Sequence, residues 1–535
     1  MKFRRHTIKG FTYSKVSAIL LSGILSLTAC DQWNKKIDPP PSTTQTNQPE
    51  PQPTPSPILL QRGLYSDFVL KPHEVKNNEQ MSLLRDLFEG LVILDPHGNI
   101  IPGVAEKWQA IDGKSWIFTL RPDAQWSNGE PLTAHDFVRS WQQLALSETA
   151  LKQYLIFLNL RNAEAVLSHK LPVEQLGIEA LDEHTLQLHL DKPVPYLIKM
   201  LAHPALLPQY LTSQNANVAN KVIGNGAYRV VKWQENLVEL EKNPFYWNKA
   251  YTSFQQVNYQ KIQPTQPVDE LDWIEQPQQK NDQTLYFPQL CTYFYEFNFN
   301  DPLLKQKSIR TALVSMISAR DIARDEKTMS VNSANFLPQN MQFEQESEWQ
   351  PTLMEQILQQ TGITENNPLT LRMTYENSGI HPMIADRLIR TWSQSDLIRI
   401  KAESLPRQQL LEKRAKGDFQ LIRSGWCADY NDPSAFLNLL YSKSPDNKMA
   451  FHDKNVDSLL EQTLSNDISA QERSTLYQEI TSLVQRDKVV LPLFQYMKPI
   501  YVHDSLAGYD VKNPTEVIYS KDLYRIAAKS ADTTQ

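Results

Sequence analysis

The sequence predicts an α/β fold with a partly parallel sheet. Three observations carry this expectation. After Leu290, strand-like and helix-like segments alternate. Hydrophobic residues make up 41% of the 535, enough for a sizeable core and more than one domain. Low-complexity sequence is confined to the stretch before residue 58, so the remainder reads as folded body.

The N-terminus is a targeting segment. Lys2, Arg4, Arg5, Lys9 and Lys15 precede an apolar run from Val16 to Leu27. About a dozen residues suit a signal-peptide core and fall short of the ~20 needed to span a bilayer. The run ends in Leu27-Thr28-Ala29-Cys30, which resembles the lipobox of bacterial lipoproteins and implies lipidation at Cys30. An ordinary signal peptide followed by a chance cysteine, or an uncleaved anchor, is the plainer reading. Asp31 resembles the signal that retains enterobacterial lipoproteins at the inner membrane, facing the periplasm. Residues 31–57, with "DPPPSTTQTNQPEPQPTPSP", hold too few apolar side chains for a core; their prolines favour an extended tether.

In the body, "MSLLRDLFEGLV" spaces Leu83, Leu84, Leu87, Phe88 and Leu91 as a helix that Gly90 would stop. Asn128-Gly129 marks a tight turn, and Thr133 caps a helix over "LTAHDFVRSWQQLALS". "HTLQLHLDKPVPYLIKML" reads as strand, turn and helix, and "VIGNGAYRVVKWQENLVELEKNPFYW" as a hairpin. Then come the strand "CTYFYEFNF", the helix "KSIRTALVSMISARDIARD", the strand "LTLRMTYENSG" and the helix "HPMIADRLIRTWSQS". The strands "IRIKAESL" and "FQLIRSGWC" follow, with a helix between them. In such sheets ligands bind beyond the carboxyl ends of the strands, which puts "SGWCADYND" at a candidate site.

The chemistry is defined largely by what is missing. A net charge of -6 gives no reason to expect a nucleic-acid partner. No P-loop, zincin, CxxC or GxSxG pattern occurs, and "GNGAY" lacks a third glycine, so neither metal nor cofactor is expected. A catalytic Cys427 would need a reduced thiol and a histidine base, with His381, His452 and His503 as candidates. An oxidising compartment argues against a standing thiolate. There Cys291 and Cys427 are either a disulfide or two separate buried thiols. Asp432, just before Pro433, is the better helix cap, which leaves Asp429 free for another task. A carboxylate beside Trp426 and Tyr430 would need a cationic partner if buried, and a ligand ammonium is one.

The segments "RDLFEGL", "PGVAEKW", "WSNGEPLTAHDFVRSW", "PVPY", "NGAY", "NPFYW", "CTYFYE" and "RSGWCADYNDPSAFLN" follow one another in a familiar order. From about residue 64 to 527 the chain resembles the oligopeptide-binding proteins of bacterial ABC importers, the OppA-like group. The resemblance implies a monomeric, two-lobed, three-domain periplasmic solute-binding protein with mixed sheets and a hinge, which closes over a short peptide and delivers it to a permease. Its domains would be 58–92, 193–290 and 500–530 (I), 93–192 (II) and 291–499 (III). It also implies a Cys291–Cys427 disulfide. Asp429 would hold the peptide's ammonium, and main chain near Gly425 and Cys427 would pair with the ligand. Trp426 would wall a side-chain pocket. Arg423 and Arg414 would serve short ligands' carboxylates, His381 a longer ligand's end, and Glu296 would line the pocket.

The pattern also departs from the group. Lys71 and Lys76 stand where acids are usual, Arg407 stands where tryptophan is common, and two pocket-forming stretches are shortened. A more basic pocket suits an acidic ligand such as murein tripeptide. Haem binding, a vestigial-pocket scaffold and, more remotely, a cysteine peptidase remain as alternatives.

Overall fold

The computed structural model describes residues 59–211, 222–323, 330–343 and 354–526. The signal segment, Cys30 and the proline-rich tether lie outside the described residues. Among the described residues, no helix is long and apolar enough to cross a membrane.

One mixed sheet of eleven strands organises the body. Its order is Ile398–Leu405, Leu369–Glu376, Leu421–Cys427, Thr284–Phe297, Val490–Val502, Trp273–Glu275, Leu59–Leu64, Gln256–Lys261, Leu237–Lys242 and Tyr228–Gln234. Ser330–Asn332 adds to Val490–Val502. Parallel pairing joins the first three strands and recurs where Leu59–Leu64 meets both its neighbours, so it is not confined to the region after Leu290. A separate antiparallel sheet holds Ala105–Ala110, Ser115–Leu120, Thr185–His189 and Ile178–Ala180. Helix Ala134–Leu146 shares one core with that sheet, burying Phe137, Trp141 and Leu144 together with Phe118, Leu186 and Leu188. Thr133 and Asp136 close its first turn as a capping box.

Two long strands, Thr284–Phe297 and Val490–Val502, run antiparallel through the middle of the large sheet. Near one end they meet Trp273–Glu275, and near the other Leu421–Cys427. Between these halves their register breaks, from Pro288 to Thr292 and again after Tyr293. Pro288 has no N–H to give, and a side chain restores part of the broken ladder. Buried Gln495 donates to the Gln289 carbonyl (2.8 Å) and accepts from the Gln339 N–H (3.0 Å). The sheet is thus two halves joined through a bulge.

Several boundaries differ from expectation. The first helix is Asn78–Leu87, not 81–92, because the Asn77 side chain accepts from the Gln80 N–H and starts it early. Phe88 is already extended, so Gly90 does not stop this helix. The helix expected over 307–325 is two, Lys307–Ser315 and Ala319–Ala323, and Ser318 opens the second by accepting from Asp321 N–H. The "CTYFYEFNF" strand begins seven residues earlier than its cysteine, at Thr284. A second core forms where helix His381–Trp392 covers the sheet, with Leu371, Met373, Leu388, Trp392 and Leu421 fully buried.

Candidate functional site

A cleft of about 1120 Å³ lies between the two halves of the large sheet. One wall comes from helix Asn78–Leu87 (Asn78, Met81, Arg85) and from Tyr196, Lys199 and His203. The floor is Arg423 and Gly425–Pro433, with Arg407 and Tyr496 beside it. Of the residues singled out in the sequence, Asp429, Arg423, Gly425, Trp426, Cys427 and Arg407 line this cleft.

The floor is an open strand edge. Strand Leu421–Cys427 pairs with Thr284–Phe297 along its whole length, from Leu421↔Phe297 to Cys427↔Cys291. On its other side, the parallel pairing with Leu369–Glu376 covers only Leu421 and Ile422. In an antiparallel ladder, alternate residues turn their N–H and C=O towards the neighbour and away from it. Ala428 N–H donates to the Leu290 carbonyl (2.8 Å), so 424, 426 and 428 face that neighbour. Gly425 and Cys427 therefore present their main-chain groups to the cleft. At Gly425 a Cβ would stand 3.2 Å from the Thr292 carbonyl oxygen, closer than side-chain carbons ordinarily come. The Cys291–Cys427 disulfide ties this edge to the long strand. It removes the thiol that a cysteine peptidase would need, and with it that alternative.

Beyond the edge stands Asp429. Among the described residues it makes no hydrogen bond and no ion pair. Its side chain is exposed to the cleft, yet partial desolvation by the walls raises its pKa above the usual aspartate value. Its neighbour Asp432 is fully used. That carboxylate accepts from Ser434 N–H (3.1 Å), as expected of a cap, and also closes on Lys199 of the facing wall (2.7 Å). Tyr196 stacks on Tyr430 beside this bridge, with ring centroids 5.2 Å apart. Trp426 is held by its indole N–H on the Ala435 carbonyl (2.7 Å).

At the other end of the floor two guanidiniums share one carboxylate. Glu376 Oε2 lies 3.5 Å from Arg407, 3.6 Å from Arg423 and 3.5 Å from His381 Nε2, and hydrogen-bonds none of them. Arg423 donates to Tyr496 (3.1 Å) and lies over the Tyr293 ring. Burial, then the nearby Arg423 charge, push the His381 pKa down to about 4, so its ring is neutral at physiological pH. The cluster carries one net positive charge.

Glu296, Arg414 and His381 do not line the cleft. Glu296 is fully buried beneath the strand edge, held by Arg414 through Nη2 (2.6 Å) and Nε (3.0 Å) and by Ser424 Oγ (2.9 Å). His381 stands one layer back, 3.3 Å from the Tyr293 hydroxyl. Lys71 is exposed and paired with Glu74, and neither it nor Lys76 reaches the cleft. Sequence reasoning did not single out Glu376, Tyr496, Lys199 or Arg85. Glu376 ends a parallel strand, so the carboxyl-end rule that selected "SGWCADYND" applies to it equally. Lys199 and Arg85 had no local signal.

Known proteins share this architecture. Residues 99–448 match the model of the bacterial extracellular solute-binding proteins, family 5 (middle). A Haemophilus influenzae (strain Rd) protein described as a binding protein is 47% identical over 517 residues, 96% of this chain and 98% of the relative. The periplasmic oligopeptide-binding protein OppA of Salmonella typhimurium is 33% identical, over 85% of this chain and 90% of its own. The unliganded open form of the murein tripeptide binding protein MppA superposes with a TM-score of 0.80 at 29% identity, over 88% of this chain and 97% of that one. A second MppA structure, from Escherichia coli, gives 0.64 at the same identity over 88% and 98%. The chain thus superposes better on the unliganded open form of this two-lobed binding protein than on the second structure. It belongs to the family 5 bacterial extracellular solute-binding proteins, which bind solutes for ABC transporters and are not enzymes.

Proposed function

We propose that this chain is the substrate-binding lipoprotein of an ABC peptide importer. A lipid on Cys30 would anchor it to the inner membrane, as Asp31 suggests, with residues 31–57 as the tether. As a monomer, its three domains would close over a short peptide and present it to the permease. One observation carries the reading: the unpaired main-chain edge at Gly425 and Cys427 runs directly to the unpaired Asp429 carboxylate. Peptide main chain is the same in every sequence, so a strand edge binds it without regard to side chains. A carboxylate just past the edge fixes the amino end by charge. Isothermal titration of a tripeptide and its N-acetylated form tests this. Acetylation should abolish binding, and equal affinity would refute the reading. Mass spectrometry of co-purified ligand would identify the natural occupant.

A narrower reading has its own support. Arg407 and Arg423 outnumber the carboxylate they share, so the floor favours ligands with extra negative charge, such as a murein tripeptide. Equal affinity for trialanine and murein tripeptide would rule this out.

A further inference from the structure

Every other arginine or lysine lining the cleft has an oxygen partner. Lys199 closes on Asp432, and Lys498 lies between Glu275 (2.6 Å) and Glu516 (3.0 Å). Arg473 donates to the carbonyls of Thr463 and Ser465, and Arg407 and Arg423 share Glu376. Arg85 is different. It sits half-buried in the last turn of helix Asn78–Leu87. Among the described residues its one hydrogen bond is to the sulfur of Met81, at 4.0 Å. Thioether sulfur is a weak acceptor, and a guanidinium carries five N–H donors. The carboxylates whose charge acts on it are spent: Glu275 also takes Ser82, and both it and Glu516 hold Lys498. At longer range these acids balance the Arg85 charge, but they fill none of its donors.

We propose that Arg85 is a second anion-recognition point of the cleft, which selects peptides carrying a carboxylate near their amino end. This rests on the peptide-binding reading above. The open cleft lets water fill the Arg85 donors. Closure expels that water, and unfilled donors then oppose it. A carboxylate matches the planar fork bidentately. The placement follows from the walls. Arg85 lies beside His203, whose pKa falls to about 3 through burial first and the Arg85 charge second. His203 stacks on Tyr154 with ring centroids 3.9 Å apart. The Asp429 charge, after burial, raises the Tyr154 phenol, so Asp429 too lies within reach of that pair. Arg85 and Asp429 thus line the same cleft, each close to one aromatic stack. A ligand whose ammonium meets Asp429 would bring a side chain of its first or second residue to Arg85.

The test is calorimetry of the full-length protein in detergent with Ala-Glu-Ala and Ala-Gln-Ala. These peptides differ in one charge at the second residue. The wild type should bind Ala-Glu-Ala at least tenfold more tightly. In Arg85→Gln that ratio should fall to near one, and Arg85→Lys should retain part of it. Melting of the unliganded variants reports whether they fold. Should Arg85→Gln not fold, an unchanged ratio in Arg85→Lys overturns the proposal. So does a ratio that survives in Arg85→Gln but collapses in Arg407→Gln. If the wild type binds both peptides equally, this proposal fails while peptide binding stands. If it binds neither them nor trialanine, the parent reading fails as well.

Discussion

Replacing Asp429 by asparagine keeps the shape of the cleft floor and removes one charge. The cost follows from the other acids nearby. Asp432 is committed to Lys199 and the Ser434 N–H, and Glu376 to two arginines and His381. No spare carboxylate of the floor could take over the ligand's ammonium. Closing over that ammonium unpaired should cost ~3–5 kcal/mol, a loss of affinity between roughly a hundredfold and several thousandfold. The unliganded protein should respond in the opposite sense. Burial raises the Asp429 pKa, so the fold favours the neutral acid, and its ionised form is a liability at neutral pH. Asp429→Asn should therefore melt no lower than wild type without ligand at pH 7. Below the usual aspartate range, where Asp429 is protonated either way, the two proteins should converge. Titration calorimetry gives the first quantity and scanning calorimetry the second. Tripeptide affinity within threefold of wild type, or a destabilised unliganded variant, would refute the assignment.

Other substitutions separate structural charges from binding ones. Arg414→Ala strips the fully buried Glu296 of its bidentate partner and should cost ~3–5 kcal/mol of stability, measured by denaturant unfolding. Loss of peptide affinity with stability intact would instead make Arg414 a ligand contact. Reducing the Cys291–Cys427 bond frees a loop of 136 residues and should lower stability by up to ~5 kcal/mol. A melting temperature unchanged by reductant would contradict this. Burial holds His73 and His381 at a pKa of about 4 and His203 at about 3, so the folded protein binds fewer protons than the unfolded chain. Their contribution is complete above pH 6.5 and is lost as pH falls from there towards 4. For His73, the fall from 6.5 to about 4 is worth ~3 kcal/mol. His73→Leu should flatten the decline in melting temperature between pH 7 and 4.

How much of this was legible depended on range along the chain. The period-two patterns of Ile398–Leu405 and Leu421–Cys427 are local, and these strands sit within two residues of where the pattern put them. The Asp432 cap is local too. Its second partner, Lys199, is 233 residues away and left no trace in the sequence. The same limit separates Glu296 from Asp429. Both are acids beside aromatic residues, and the resemblance gave both a pocket role. Glu296 meets Arg414 across 118 residues, whereas Asp429 meets no cation among the described residues. That difference decides which acid stays available to a ligand, and only the packing of distant segments creates it. Helix 307–325 broke for the converse reason. Its apolar spacing continued past Ser315, but Ser318 offered a new N-terminus within reach of Asp321 N–H.

The unpaired groups also explain why an empty cleft should stay open. Closure takes Asp429 and the outward main-chain groups of Gly425 and Cys427 from water into a dry interface. Each unmatched hydrogen-bonding group costs ~1–3 kcal/mol there, and an unpaired carboxylate costs more. A few such groups disfavour the empty closed form by ~4 kcal/mol or more, a population below roughly one in a thousand. On the proposed reading, a peptide would supply an ammonium for the acid and N–H and C=O groups for the edge, and so would reverse the terms that hold the cleft apart. Binding and closure are then one equilibrium, and a ligand can drive it only as far as it interacts better with the closed form. The bulge between Pro288 and Thr292 interrupts the ladder where the two halves join, and Gln495 satisfies part of what it leaves open. The same logic explains why the floor can be built from charges that look destabilising in isolation: left unmatched, they make the closed state conditional on the ligand.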